Sequence, residues 1–329
     1  MGRPANGQRP ATIRFADGCS SDTDRADLDP TGMTPYADTR GPVRRGNPMQ
    51  QDLFETKPLD SEPGWPESWC VSQHHDRVEI WGDRSNPGYT SAYRLRMRKT
   101  LEALQALAPP GAAVLDLAAA QGNFALAASA LGYRVTWNDL REDLVAYVRA
   151  KSPQAERLAF VPGNIFELGD RFLAAFDVVL ALEIVEHVAH PDEFLAALAS
   201  LTRPDGHIII STPNGGYLRN TLPRFSDCPD PSVFESVQFQ PDSDGHIFLL
   251  HEDEMAELAG KAGLRVVRHE LFTNPLTAGH MKTRALHRVL PIGAIERVTQ
   301  SMPRRLARKL NCASLTILTR APATSSGII

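Results

Sequence analysis

Two carboxylates and two imidazoles have a spacing that suits acid–base or metal chemistry. Glu183, Glu186 and His187 directly follow an apolar segment, and His246 comes later in the chain. In a helical turn, positions i, i+3 and i+4 lie on one face, so the first three side chains would converge. Such a group could hold a divalent cation that lowers the pKa of a bound hydroxyl. Without a cation, His187 or His246 could act as a general base that Glu183 or Glu186 orients.

A second group of residues has the order of a nucleotide site. Val114 to Leu117 is typical of a short buried strand, small residues continue to Gly122, and Asn123 to Leu131 has a helical pattern. A strand that enters a helix through such a turn lets a ligand approach the backbone and the positive helix N-terminus. The next predicted strand ends at Asp139, whose carboxylate could accept both hydroxyls of a ribose. These features predict an adenosine-containing cofactor, with a helix N-cap as the alternative role for Asp139.

The glycine register indicates which cofactor this is. The dinucleotide pattern G-x-G-x-x-G would fall on Ala118, Ala120 and Asn123, so no glycine stands where a nicotinamide oxidoreductase needs one. The pattern D-x-G-x-G-x-G falls on Asp116, Ala118, Ala120 and Gly122, of which the acid and the last glycine match. The segment therefore resembles the S-adenosylmethionine-binding turn of class I methyltransferases. Alanine disfavours positive φ and adds a methyl group near the ligand, which leaves a decayed, non-catalytic scaffold as an alternative.

The acidic motif resembles two metal-dependent branches of the same class. E-x-x-E-H with a later histidine is similar to the ubiquinone-biosynthesis O-methyltransferases and to the small-RNA 3'-terminal 2'-O-methyltransferases, over roughly Val114 to Gly263. The resemblance implies that a divalent cation is held by Glu183, Glu186, His187 and His246. Mn, Fe, Co or Zn would suit two imidazoles and two carboxylates at least as well as Mg. A metal-free base, or an acid that only holds the cofactor's amino-acid end beside a structural histidine, stays open.

The resemblance also implies the remaining site residues. Cofactor contacts are expected from the turn and from the residues that follow three strands, namely Asp116, Ala118, Gly122, Asn123, Asp139, Leu140, Asn164, Ile165 and Glu183. Asn164 stands where the family usually has an aspartate that binds the adenine amino group, and its carbonyl oxygen could accept that bond. A simple turn residue is the equal alternative for Asn164. Catalysis would fall to His187, His246 and Glu186.

Alternating strands and helices predict an α/β fold that positions these residues. A βαβαβα order favours a doubly wound, mostly parallel sheet with helices on both faces, and the resemblance implies seven strands, Rossmann-like, with an antiparallel final pair. Further strands are predicted at Tyr133 to Asn138, Leu158 to Val161, Phe176 to Leu182, Gly206 to Ser211, Leu264 to Leu271 and Ala313 to Thr319. Further helices are predicted at Ser91 to Leu107, Pro191 to Leu201 and Glu252 to Ala262.

Composition divides the chain unevenly. Residues 1–75 are rich in Pro, Gly, Asp and Arg and are expected to be mostly disordered. Residues 76–321 would form the methyltransferase domain, in which 215–245 is an insertion that could act as a substrate lid. A basic helical insertion is expected at 283–310, either covering the domain or lying on an anionic membrane. Residues 322–329 are expected to be a flexible tail.

Charge and cysteine content narrow the class of protein. The chain has 329 residues, a formal net charge of -4 and four cysteines without a C-x-x-C pair, so neither a disulfide framework nor a zinc knuckle is expected. The sequence lacks an apolar run of about 18 residues and an apolar signal core, which predicts a cytoplasmic protein. Four basic residues are expected either on the solvent-exposed face of a helix or beside an anionic group, namely Arg94, Arg96, Arg98 and Lys99.

Together the patterns predict an S-adenosylmethionine-dependent methyltransferase that acts on a hydroxyl of a small molecule. A phenol, a quinol or a sugar would each serve as the acceptor. The runner-up is 2'-O-methylation of an RNA 3' end, against which the net charge of -4 and the lack of a basic stacking surface argue.

Overall fold

A seven-stranded sheet in the order β3-β2-β1-β4-β5-β7-β6 forms the centre of the computed structural model, which describes residues 56–81, 87–167, 169–238, 245–278 and 290–321. Its strands are β1 (Ala113–Leu117), β2 (Arg134–Trp137), β3 (Ala159–Phe160), β4 (Phe176–Leu182), β5 (Thr202–Pro213), β6 (Leu264–Phe272) and β7 (Ala313–Arg320). Strands β1 to β5 are parallel, and β7 runs antiparallel between β5 and β6. The predicted fold class is confirmed.

Helices cover both faces of this sheet. They are α1 (Glu67–Glu79), α2 (Pro87–Leu107), α3 (Asn123–Ala130), α4 (Leu144–Lys151), α5 (Pro191–Leu201), α6 (Glu252–Lys261), α7 (Ile292–Gln300) and α8 (Arg304–Leu310). Because successive strand residues point to opposite faces, Leu180 of β4 packs with α2, α3 and α4, while Val179 packs with α5 and α6. Burial on both faces explains why β4 is apolar at nearly every position.

The predicted strands and helices are observed, with differences at several of their ends: α2, for example, begins at Pro87 rather than at Ser91, and α4 was not predicted. Strand β5 begins at Thr202 rather than at Gly206, since Thr202 pairs with Phe176 before the register shifts. Asp205 has a φ of 62° inside this irregular stretch. The polar, turn-like sequence between the two positions hides the beginning of the strand.

Helix α1 (Glu67–Glu79) begins inside the segment 1–75 that was predicted to be mostly disordered, so residues 67–75 are helical and the folded domain begins earlier than expected. Trp69 packs edge-to-face on Tyr147 of α4 with ring centroids 5.6 Å apart, and Trp65 packs on the same ring at 6.4 Å. Asp76 forms a fully buried ion pair with Lys151. Residues 1–55 of the predicted segment lie outside the described residues.

The basic segment near the C-terminus forms two helices. Pro291 and Pro303, where breaks were predicted, directly precede α7 and α8. Ile295 and Glu296 of α7 are buried, as expected if this helix covers the domain. Membrane contact through 283–310 stays a prediction, because 283–289 lies outside the described residues. The predicted tail, 322–329, also lies outside them. Among the described ranges, no helix combines the length and the apolar character needed to cross a bilayer.

The predicted lid is described as far as residue 238 and again from residue 245. It contains two short 3-10 turns, Phe225–Asp227 and Pro231–Val237. Phe225 and Phe234 each pack edge-to-face on Phe248 with ring centroids 5.3 Å apart. Aromatic contacts therefore attach the segment to the domain, and its role as a lid stays a prediction.

Removing a side chain from the middle of β4 should destabilise the whole fold. Leu180 is fully buried between β1 and β5. We expect Leu180→Ala to lower the free energy of unfolding by about 2–5 kcal/mol in a urea titration, because the deletion leaves a cavity. Val267→Ala on β6, where the side chain is half exposed, should change it by less than about 0.5 kcal/mol. Equal effects of the two changes would contradict the described core.

Candidate active site

Two cavities open where the carboxyl ends of the central strands meet. The first, here called the turn cleft, has a volume of about 300 Å³ and lies beside the turn from β1 to α3. Six predicted cofactor residues line it, namely Ala118, Asp139, Leu140, Asn164, Ile165 and Glu183. The predicted catalytic residue His187 lines it as well. The edge at which the cleft opens is where ligands bind in open α/β sheets.

The turn from β1 to α3 is left-handed at three residues. Ala118 has a φ of 50°, Ala120 of 46° and Gly122 of 71°. Each alanine therefore adopts the conformation that it disfavours, at a cost of about 1–2 kcal/mol relative to a right-handed residue. Backbone bonds to the end of β2 hold the turn from one side, since Ala119 donates to the Asn138 carbonyl at 2.8 Å. Ala118 and Ala120 thus adopt the left-handed conformation that glycine would adopt at these positions.

Asp139 holds the same turn and faces the cleft. Its carboxylate accepts the Ala120 N–H at 2.8 Å and the Arg141 N–H at 3.0 Å. The guanidinium of Arg141, whose side chain is 44% exposed, forms an ion pair with it at 2.9 Å. The N-cap of α4 is Asp143, so the N-cap alternative for Asp139 does not apply. A ribose that bonds Asp139 would take the place of the Arg141 side chain.

Asn164 has the bonding pattern of a turn residue, and its adenine contact stays a prediction. Its carbonyl oxygen accepts the Phe166 N–H at 3.2 Å, and its amide donates to Glu167 at 2.8 Å, as in a turn residue. Asn164 also lines the cleft beside Ile165 and Phe166. A carbonyl oxygen has two lone pairs, so one acceptor position remains for an adenine amino group.

Three predicted cofactor residues do not line the cleft. Asn123 is buried, and its amide is bonded to Asp76 and Lys151 behind the turn, which corrects its assignment as a cofactor contact. Gly122 serves packing, because a Cβ there would lie 3.2 Å from the Trp137 ring. Asp116 is buried at the end of β1, where burial raises its pKa to about 7. Its Oδ2 has no hydrogen-bond partner among the described residues.

The two carboxylates of the E-x-x-E-H motif do not converge. Glu183 has a φ of 56°, which ends β4 and prevents one continuous helical turn from Glu183 to His187. Its side chain forms an ion pair with Arg96 at 3.0 Å and accepts the Ser211 hydroxyl at 2.8 Å. The assignment of Glu183 as a fourth metal ligand is therefore corrected.

The other three predicted ligands do come together. Glu186, His187 and His246 each offer an atom within 4.8 Å of the others, and the two imidazole centroids are 4.8 Å apart. Glu186 is fully buried, and burial together with the charge of Glu183 raises its pKa well above the usual value. One Glu186 oxygen accepts the Thr212 hydroxyl at 2.9 Å, while the other has no partner among the described residues.

The donor set fits a divalent cation of the Mn, Fe, Co or Zn type. It combines two imidazoles with a buried carboxylate oxygen for which the described part of the chain supplies no hydrogen bond. The same three side chains could also work without a cation, with an imidazole as the base and Glu186 beside it.

A second cavity of about 490 Å³ lies beside α2 and is called the α2 cavity here. Tyr89, Arg96, Tyr217 and His246 are among its lining residues, and Glu183 lines both this cavity and the turn cleft. Of the two expectations for the basic residues of α2, Arg96 follows the second, since it lies beside an anionic group. The arginines of α2 match the exposed face of an ordinary helix, yet Arg96 is only 20% exposed and pairs with Glu183.

Sequence analysis missed the buried charges of α1. Glu79 accepts a hydrogen bond from Gln121 in the turn at 2.7 Å and one from the Tyr89 hydroxyl at 3.1 Å. Burial raises the pKa of Glu79 to about 7. A carboxylate in a polar segment carries no sequence signal for such a contact, because the partner lies far along the chain.

Comparison with known proteins identifies the family of this chain. A model of the methyltransferase domain family matches residues 89–269, more than half of the chain. The ubiquinone biosynthesis O-methyltransferase of Xanthomonas axonopodis pv. citri is 33% identical over 109 residues, which cover 33% of this chain and 46% of the relative. The protein of the same name from Caulobacter sp. is 33% identical over 105 residues, covering 32% and 42%. The chain thus spans less than half the length of these curated relatives.

A solved structure shows the same fold. It is provisionally assigned as a sarcosine dimethylglycine methyltransferase of Galdieria sulphuraria and aligns with a TM-score of 0.50 at 14% identity. The alignment covers 77% of this chain and 98% of that protein. At this identity the likeness concerns the fold alone.

Removing the Asp139 carboxylate should weaken cofactor binding. We expect Asp139→Ala to raise the Kd for S-adenosylhomocysteine by roughly 10- to 100-fold in calorimetry, because charge-assisted bonds to the ribose and the anchor of Ala120 are lost. Glu142→Ala, which removes an exposed carboxylate nearby, should leave the Kd unchanged. Near wild-type affinity of the Asp139 variant would contradict the ribose assignment.

Proposed function

This chain belongs to the methyltransferase domain family and is a class I S-adenosylmethionine-dependent methyltransferase, and we propose that it methylates a hydroxyl oxygen of a small molecule. One observation carries the proposal. His187 lines the turn cleft, His246 lines the α2 cavity, and their ring centroids are 4.8 Å apart. A proton acceptor or a metal at this point would serve an acceptor hydroxyl beside the cofactor.

Methyl transfer to a hydroxyl requires the protein to align two reacting groups and to remove one proton. The cofactor supplies a methyl group on a sulfonium, which is already activated toward nucleophiles. The chain must therefore hold the acceptor oxygen in line with that methyl group and remove the hydroxyl proton. The Asp139 carboxylate would bind the ribose, and Asn164 and Ile165 would bind the adenine. Glu183, held by Arg96 and Ser211, stands between the two cavities and would orient the groups that meet there.

Glu186, His187 and His246 would hold the divalent cation in the metal-assisted form of this proposal. A bound cation would lower the pKa of the acceptor hydroxyl. The buried Glu186 oxygen, which has no hydrogen-bond partner within the described ranges, supports such a ligand, since an unpaired buried polar group is costly. In the metal-free form, one of the two imidazoles takes the proton directly.

The α2 cavity would receive the acceptor. Its volume of about 490 Å³ lies within the range that small-molecule sites occupy. Tyr89, Tyr93, Tyr217 and Phe272 give it aromatic walls, which suit a phenol or a quinol. The named activity of the ubiquinone biosynthesis relatives, O-methylation, points in the same direction.

An acceptor panel tests the proposed chemistry. The full chain would be incubated with S-adenosylmethionine, Mn²⁺ and either catechol, 4-hydroxybenzoate, glucose or benzylamine. Release of S-adenosylhomocysteine and the methylated product would be followed by mass spectrometry. We expect a methyl ether from the phenolic compounds, whereas methylation of benzylamine alone would contradict the O-methylation proposal.

Removing one imidazole should separate metal binding from cofactor binding. We expect His246→Ala to weaken Mn²⁺ binding of chelator-treated protein by about 10- to 100-fold, because one ligand of three is lost. Its Kd for S-adenosylhomocysteine should stay within about twofold of wild type, since His246 does not line the turn cleft. The control, His190→Ala, removes a histidine that pairs with Glu235 instead. If the wild-type chain binds no Mn²⁺, the metal-assisted form is wrong.

A further inference from the structure

A buried ion pair lies behind the cofactor turn, and we propose that it keeps the alanine-containing turn in its binding conformation. The pair joins Asp76 of α1 to Lys151 of α4 at 2.9 Å. We call the pair and its two direct partners, Asn123 and Tyr147, the Asp76–Lys151 clamp. Its members are positioning residues, because none of them lines the turn cleft.

Lys151 contacts the turn directly. Its ammonium group, which is fully buried, donates to the backbone carbonyl of Gln121 and to the Asn123 side chain, the latter at 2.8 Å. The third partner is Asp76, so each of the three ammonium protons has an acceptor. The carbonyl of Gln121 directly precedes Gly122, where the left-handed turn passes into α3.

Asp76 ties this contact to three helices. Its carboxylate accepts the Asn123 amide of α3 at 2.9 Å and the Tyr147 hydroxyl of α4 at 2.7 Å. Asp76 itself belongs to α1, where it is fully buried. The position of the Gln121 carbonyl is therefore fixed relative to α1, α3 and α4 at once.

Stability alone gives little reason for this arrangement. A buried ion pair is often replaceable by apolar side chains without loss of stability, because both charges must leave water. Strained backbone conformations, by contrast, persist only where the surroundings over-determine them. Ala118 and Ala120 both have positive φ, and the turn is anchored in front by Asp139 and behind by Lys151. The clamp therefore restrains the two alanines in a conformation that glycine adopts without strain. A turn with glycine at both positions should depend less on the clamp.

If the clamp offsets the strain of the two alanines, its removal should weaken cofactor binding less when both alanines are replaced by glycine. This difference can be measured. Asp76→Leu and Lys151→Met would be combined, so that no unpaired buried charge remains. The pair would be introduced into the natural turn and into a turn with Ala118→Gly and Ala120→Gly. Binding of S-adenosylhomocysteine to each full chain would be measured by calorimetry, and folding by circular dichroism. We expect the Kd to rise by about tenfold in the alanine turn and by less than about threefold in the glycine turn.

A control variant and a milder variant allow the effect on cofactor binding to be interpreted even if the combined variant does not fold. Arg149→Met removes an exposed charge from the same helix α4 and should leave the Kd unchanged. If the combined variant does not fold, Tyr147→Phe deletes one hydrogen bond to Asp76 and keeps the ring, and its loss of affinity should again be confined to the alanine turn. Equal losses in both turns, or no loss in either, would overturn the proposal.

Discussion

The turn between β1 and α3 must hold two alanines at positive φ, and the rest of the site depends on that constraint. Because the turn has this shape, the Ala120 N–H bonds the Asp139 carboxylate and Ala118 lines the cleft. The strain is offset by contacts from two sides, one from the end of β2 and one from the Lys151 ammonium. Helix α1 is thus part of the cofactor site although it does not line the cleft.

A further positive φ, at Glu183, separates the two acids of the E-x-x-E-H motif into different roles. Glu183 leaves the helical register and pairs with Arg96 at the wall between the two cavities. Glu186 stays with His187 and His246, where burial raises its pKa. The charge of Glu183 is therefore balanced by Arg96, whereas Glu186 remains available to bind a cation or a proton.

Local periodicity predicted the alternating strands and helices and the sheet edge where the site lies, while the resemblance to class I methyltransferases implied the antiparallel final pair, most residues of the cleft and the grouping of Glu186 and His187 with His246. Sequence patterns did not predict α1, whose contacts are aromatic and ionic and join residues far apart in sequence. They also placed Glu183 with the metal group, since a helical spacing was assumed where φ is positive. The sequence left Arg96 either exposed or beside an anionic group, because charge spacing cannot show that Glu183 lies opposite. Each of these differences arises from a tertiary contact that overrides a local rule.

The central claim is that the turn with two alanines still binds an S-adenosyl cofactor. Calorimetric titration of the wild-type full chain with S-adenosylmethionine tests it most directly. We expect one bound molecule per chain with a Kd in the micromolar range. No heat of binding from a folded chain, with or without Mn²⁺, would contradict the claim.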